Sequence, residues 1–213
     1  MAKPPAGVTR VLLTRHGFSE HNRNTAVFQG RAPSSLLAPE GREQARLLGQ
    51  RLAKGATIDR IVHSSLPRTR ETAEIIAEIA AVTRLQPEDA FWDLSKGDWE
   101  GSMPIELPPA LQRQMDADPF DFHYGAGESF RDVVARAAPA FDRWVGGGPG
   151  ETLLFVVHAD VIRAILFHLI GFPERRIADF EVGLCALFEF EIDPGLGRER
   201  CRVVLLNDTS HLE

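Results

Sequence analysis

The run TLLFVV at residues 152–157 admits few placements in a fold. Five apolar residues follow Thr152 without the polar alternation of a half-wet strand: two Leu, one Phe and two Val. Such a run reads as a strand buried on both faces. It is far too short to span a bilayer. A sheet covered on both faces needs helices on both sides, and the chain supplies them. The strand reading extends over ETLLFVVHA (151–159), and DVIRAILFHLIG (160–171) continues at helical spacing. VTRVLLT (8–14) and IDRIVHS (58–64) read as two more strands. PEGREQARLLGQRLAKG (39–55) reads as a helix closed by glycine, and PRTRETAEIIAEIAA (67–81) as a helix with proline in its first turn. ESFRDVVARAAPAFDRWV (128–145) is a further helix, with a kink predicted at Pro139. VTRLQP (82–87) is a short strand. LCALFEFEI (184–192) and CRVVLLN (201–207), separated by the turn-rich DPGLGRER, read as a closing pair. Strands alternating with helices predict one α/β domain over residues 1–213 with a largely parallel sheet.

Charge narrows the partners. The formal net charge is -6, so no global positive field favours nucleic acid, and an anion must be held by a local pocket. The two cysteines, Cys185 and Cys201, form neither a metal motif nor a disulfide framework, which fits a reducing, cytoplasmic setting. MAKPPAG lacks the apolar core of a signal peptide, so none is expected, and no membrane partner is expected either.

VLLTRHGFSEHNRN (11–24) puts Arg15 and His16 where the first strand runs out. His158 follows the strand LLFVV, and Arg68 sits in the first turn of the helix after the second strand. Open parallel sheets bind ligands beyond the carboxyl ends of their strands. A lone histidine or arginine at such a place is more often structural or solvated. Together, the two arginines and two histidines suggest an electropositive cup for a tetrahedral anion, because arginine forks pair with phosphate oxygens. HExxH, GxxxxGK[ST] and GxSxG are all absent, which leaves phosphoryl transfer to nitrogen. A neutral imidazole can attack phosphorus, water can hydrolyse the phosphohistidine, and a general acid must protonate the leaving alkoxide.

These residues carry a family resemblance. TRHGFSEHN resembles the R-H-G signature of the histidine phosphatase superfamily, also called phosphoglycerate mutase-like. APEGREQARLLG, HSSLPRTRETA, GDWEG (97–101), GAGES (125–129), VVHADVIR and NDTSHL are similar to further family segments in the family's order. The resemblance implies a three-layer α/β/α sandwich with a mostly parallel central sheet. It also implies a nucleophile at His16, phosphate binding by Arg15, Asn22, Arg68 and His158, and a general acid at Asp93, where glutamate is commoner. Glu100 and Glu128 are the alternative carboxylates, with Glu100 read rather as part of a structural turn with Trp99.

The chain departs from the pattern at Ala159, Ser65 and His21. Asp160 reads first as a helix N-cap and second as a carboxylate orienting an arginine at the pocket. His63, His123 and His168 have no assigned role beyond packing or exposure. Mutases of the family carry extra basic residues after the G-x-W-E-G position, whereas residues 102–127 offer Arg113 alone among Lys and Arg. They carry instead Met103, Ile105, Phe120, Phe122 and Tyr124, some for the core and some for a mouth suited to apolar bulk. The expectation is a metal-independent phosphomonoester hydrolase that needs no cofactor and acts on a small phosphorylated substrate. A cofactor-dependent phosphoglycerate mutase, a protein phosphatase and a non-catalytic phospho-ligand module are the alternatives. A homodimer is left open.

Overall fold

The computed structural model describes residues 7–23, 28–55, 57–101, 106–193 and 201–213. Met103, Ile105 and most of the DPGLGRER turn lie outside these residues.

Six strands form one sheet: β1 (Thr9–Arg15), β2 (Arg60–His63), β3 (Leu85–Pro87), β4 (Thr152–Val157), β5 (Leu187–Ile192) and β6 (Cys201–Asp208). Their order is β3-β2-β4-β1-β5-β6. The first four run parallel, and β5 and β6 add an antiparallel edge. The helices are α1 (Glu20–Arg23), α2 (Pro39–Gly55), α3 (Pro67–Ala80), α4 (Pro109–Ala117), α5 (Phe130–Gly146) and α6 (Ala159–Ile170).

Strand side chains alternate between two cores. Val11, Leu13, Leu153, Phe155 and Val157 point to the face covered by α5 and α6. Leu12, Leu154, Val156 and Ile61 point to the face covered by α2 and α3. The uninterrupted apolar run of β4 is therefore the mark of a three-layer α/β/α sandwich, with the two strands beside it, β1 and β2, filling the same two cores.

Several boundaries differ from the sequence reading. β4 ends at Val157, because His158 turns out of the sheet to cap α6. α5 begins at Phe130, set by a capping box in which Ser129 and Asp132 exchange hydrogen bonds with each other's backbone N–H. It continues through Pro139. β3 is confined to Leu85–Pro87. β5 starts only at Leu187, after a left-handed Cys185. The short helices α1 and α4 are additional to the sequence reading.

Candidate active site

The carboxyl ends of β1, β2 and β4 lie side by side, and the cluster forms there. His16 N–H donates to the Val157 carbonyl (3.0 Å) and Ser64 N–H to the Val156 carbonyl (3.1 Å), which locks the three strand exits together. The loop after β1 packs backbone against backbone on the start of α2. A β-carbon on Gly17 would strike Gly41, and one on Gly41 would strike the Phe18 carbonyl. Gln44 Oε1 accepts the Phe18 N–H at 2.8 Å, and Thr72 Oγ1 accepts the Gly17 N–H at 3.2 Å. Both α2 and α3 thus fix the segment that carries His16.

His16 is buried, and its Nδ1 lies 2.8 Å from the Gly17 carbonyl, so Nδ1 carries the proton. Arg68 Nε donates to His16 Nε2 at 3.3 Å, which marks Nε2 as the atom with the lone pair. Burial, then the charges of Arg68 and Arg15, hold the His16 pKa well below its ordinary value. The ring is neutral at neutral pH.

Arg68 occupies the first turn of α3 and has no solvent exposure. One of its nitrogens, Nη2, donates to the Gly30 carbonyl and to Asp93 Oδ2, each at 2.9 Å. His158 is likewise fully buried, its ring 5.3 Å from that of His16 between centroids. Its Nδ1 lies 3.6 Å from Asp93 Oδ2, and its Nε2 lies 3.0 Å from Ser64 Oγ. Burial first, then Arg68 and Arg15, keep His158 neutral too. Arg15 anchors one nitrogen on the Val182 carbonyl (2.9 Å). Arg15 Nε, Arg68 Nη1 and His158 Nδ1 are buried without a hydrogen-bond partner. Three orphaned donors, beside two helix N-termini, form an environment for an oxyanion.

Five of the six residues singled out in the sequence, Arg15, His16, Arg68, Asp93 and His158, therefore meet in one buried group. Asn22 does not bond to any of them. Its Oδ1 accepts the N–H and the hydroxyl of Ser19, both at 2.8 Å.

The alternative carboxylates have other duties. Glu128 takes both prongs of the Arg136 fork (3.0 and 2.9 Å) and one of Arg31 (2.7 Å). Burial pushes its pKa up, but these partners outweigh that and lower it. Glu128 is thus held ionised as a clamp. Glu100 Oε1 accepts the Lys96 N–H at 2.9 Å and organises the turn that contains Trp99. Arg31 and Arg136 also both donate to the Asp93 carbonyl, at 2.9 and 3.0 Å. That convergence on one backbone oxygen was not legible in the sequence.

Asp160 is not the N-cap of α6. His158 already holds that position, and Asp160 sits inside the first turn. Its carboxylate takes Arg163 Nη1 at 2.9 Å and lies 3.9 Å from Lys96 Nζ. Its second reading, a carboxylate orienting an arginine, is the one realised. Ser65 accepts the Trp92 indole N–H and donates to Asp89, each at 2.5 Å. His63 and His168 are buried packing residues bonded to the Ser64 carbonyl and Asp142, and His123 is exposed. Phe120 belongs to the core, while Phe122 and Tyr124 cluster with Trp99.

Among the described residues, no three His, Cys, Asp or Glu side chains converge as a metal site. Nor, among them, is any helix long and apolar enough to cross a membrane.

Comparison with known proteins places this geometry. A family model described as histidine phosphatase superfamily (branch 1) matches residues 11–209. A protein named probable phosphoglycerate mutase GpmB, from Serratia proteamaculans, is 31% identical over 174 residues, covering 79% of each chain. The solved structure of Bacillus stearothermophilus YhfR is 29% identical, covers 96% of this chain and 100% of its own, and has a TM-score of 0.79. Phosphoserine phosphatase from Entamoeba histolytica shares the fold at 23% identity and a TM-score of 0.81, covering 96% of this chain and 100% of its own.

Proposed function

Since this chain belongs to the histidine phosphatase superfamily (branch 1), we propose that it hydrolyses phosphate monoesters through a phosphohistidine on His16. The observation that carries the proposal is the state of His16, a neutral ring whose unprotonated Nε2 faces Arg68, which in turn holds Asp93.

The arriving phosphoryl dianion takes the Arg68 fork, together with Arg15 and the His158 Nδ1–H. Leu66 N–H donates to Ser64 Oγ at 3.4 Å, so the Ser64 hydroxyl is left to donate to His158 Nε2, which keeps the His158 proton on Nδ1. Drawing Arg68 onto phosphate frees His16 and Asp93, two of its three protein partners. His16 Nε2 attacks phosphorus as the P–O bond to the leaving oxygen breaks, and Asp93, entering as the carboxylic acid that the later water step regenerates, gives that oxygen its proton. The phosphoryl charge rests on Arg15, Arg68, His158 and the helix N-termini throughout. Water then attacks the phosphohistidine with Asp93 as base, releasing phosphate and restoring His16.

These cations also support metal independence, and the two free cysteines suit a reducing cytoplasm. Arg113 is exposed, so residues 106–127 bring no buried cation to hold a mutase's bisphosphate, and hydrolysis is the favoured outcome.

His16→Ala should abolish phosphate release from p-nitrophenyl phosphate with the fold intact. The wild-type protein should trap an acid-labile, base-stable phosphate and survive dialysis against EDTA. Retained turnover in His16→Ala would sink the mechanism, and activity lost on chelation and restored by a divalent ion would sink its metal independence. Stimulation of phosphoglycerate isomerisation by 2,3-bisphosphoglycerate would favour the mutase instead.

A further inference from the structure

Beside the buried cluster lies a cavity of about 350 Å³ that the reaction does not use. Leu94, next to Asp93, and Asp160, two residues after His158, line it, and the charges are within reach of one another: Lys96 feels Asp93, and Arg15 feels Asp160 and Arg163, so the cavity neighbours the phosphoryl position. Its volume falls in the range of small-molecule pockets, about 300–1,000 Å³. Leu94, Met115, Phe130 and Ile177 make its apolar walls, Lys96 and Arg163 stand together at Asp160, and one further pair of opposite charges, Arg175 and Asp116, also lines it.

Lys96 is the unusual group. Its side chain is only 12% exposed. The ammonium stands 3.4 Å from the centroid of the Tyr124 ring and 5.6 Å from that of Phe28. The nearest carboxylate oxygen, on Asp160, is 3.9 Å away, and no hydrogen bond reaches Nζ among the described residues. A half-buried ammonium held on a ring face, with no hydrogen-bond acceptor among the described residues, keeps its donors for whatever enters the cavity. Arg163 is held ready alongside, its Nε on the Phe180 carbonyl (2.8 Å) and Nη1 on Asp160. One carboxylate thus serves two cations, which leaves a single net positive charge between Lys96, Arg163 and Asp160. That balance matches a monoanion. A second phosphate dianion would meet Asp160 as well.

We propose that Lys96 and Arg163 form an anion subsite for the alcohol portion of the substrate, so that the preferred ester carries a carboxylate separated from its phosphate by an apolar spacer. The proposal rests on the phosphatase reading for the orientation of the ligand, and the test keeps the two apart. Titration calorimetry on His16→Ala would compare hexyl phosphate, the phosphate ester of 6-hydroxyhexanoate, and hexane-1,6-diol bisphosphate. The carboxylate ester should bind about tenfold more tightly than hexyl phosphate, as a charge-assisted hydrogen bond supplies. Adding Lys96→Met should bring that ratio to within about twofold, and Lys96→Arg should keep most of it. Should Lys96→Met fail to fold, Arg163→Gln reads the same ratio. Equal dissociation constants for the two esters, or a ratio untouched by both replacements, would overturn the subsite. Tighter binding of the bisphosphate would overturn the carboxylate assignment. Phosphate release from p-nitrophenyl phosphate by the wild-type protein reports separately on hydrolysis.

Discussion

Arg68 touches both groups that move atoms in the proposed reaction, His16 through Nε and Asp93 through Nη2. Replacing it should therefore harm every substrate alike, whereas replacing Asp93 should harm only esters whose leaving group needs a proton. Asp93→Asn should slow an alkyl phosphate by about 10²–10⁴-fold and p-nitrophenyl phosphate far less. Arg68→Ala should slow both by similar factors. Equal losses in Asp93→Asn would remove Asp93 from the acid role, and Glu128, bound as a clamp, would not be the replacement. At this scale the sequence is informative where a residue's place follows from a strand end. Arg15, His16 and His158 are such cases, because a strand exit fixes direction as well as position. Asp160 was not legible in that way. Cap preference weighs residue type and cannot see that the preceding strand ends at Val157, two residues earlier than read, which makes His158 the cap and moves the carboxylate round to Arg163.

Between elements, the decisive contact is the reach of α5 to the loop before Trp99. Arg136 donates to the carbonyls of Ala90 and Asp93 and pairs with Glu128, and Arg31 repeats two of those contacts from the opposite side. Aspartate is shorter than glutamate, so in the proposed reaction the backbone beneath Asp93 must be held in place, and these bonds to its carbonyl fix it. Arg136→Met should cost an alkyl phosphate about 10- to 100-fold in kcat, the scale of a small misplacement of a reacting group. p-Nitrophenyl phosphate should lose much less, and the effect should vanish when Asp93 is already Asn. Additive losses in the double variant would refute a positioning role. Nothing in periodicity announces such a clamp, because it joins residues far apart in the chain through backbone carbonyls. Helix α4 was invisible for a different reason. None of its residues is buried, and its nine residues are short for a helical period to register.

For the molecule as a whole, two neutral histidines at the centre tie stability to pH. His16 and His158 have lowered pKa values in the fold, chiefly by burial. Above about pH 6.5 neither folded nor unfolded chain protonates them. Below it the unfolded chain takes up protons that the fold refuses, so stability falls with falling pH, by at most about 1.4 kcal/mol per pH unit for each ring. Urea unfolding between pH 7 and 5 should show this slope, and His16→Gln should make it shallower. An unchanged slope would mean that His16 titrates normally. The layered sheet that creates this burial was legible from β4 onward, since an apolar run without alternation demands cover on both faces. The three buried donors on Arg15, Arg68 and His158 have a further consequence, which concerns time. They are best satisfied by orthophosphate, the very molecule each turnover leaves behind. Under the proposed hydrolysis, rates should fall and the melting temperature rise together as inorganic phosphate is added, along one shared dissociation constant. Two different constants would mean that the ion slowing the reaction sits elsewhere than the ion stabilising the fold.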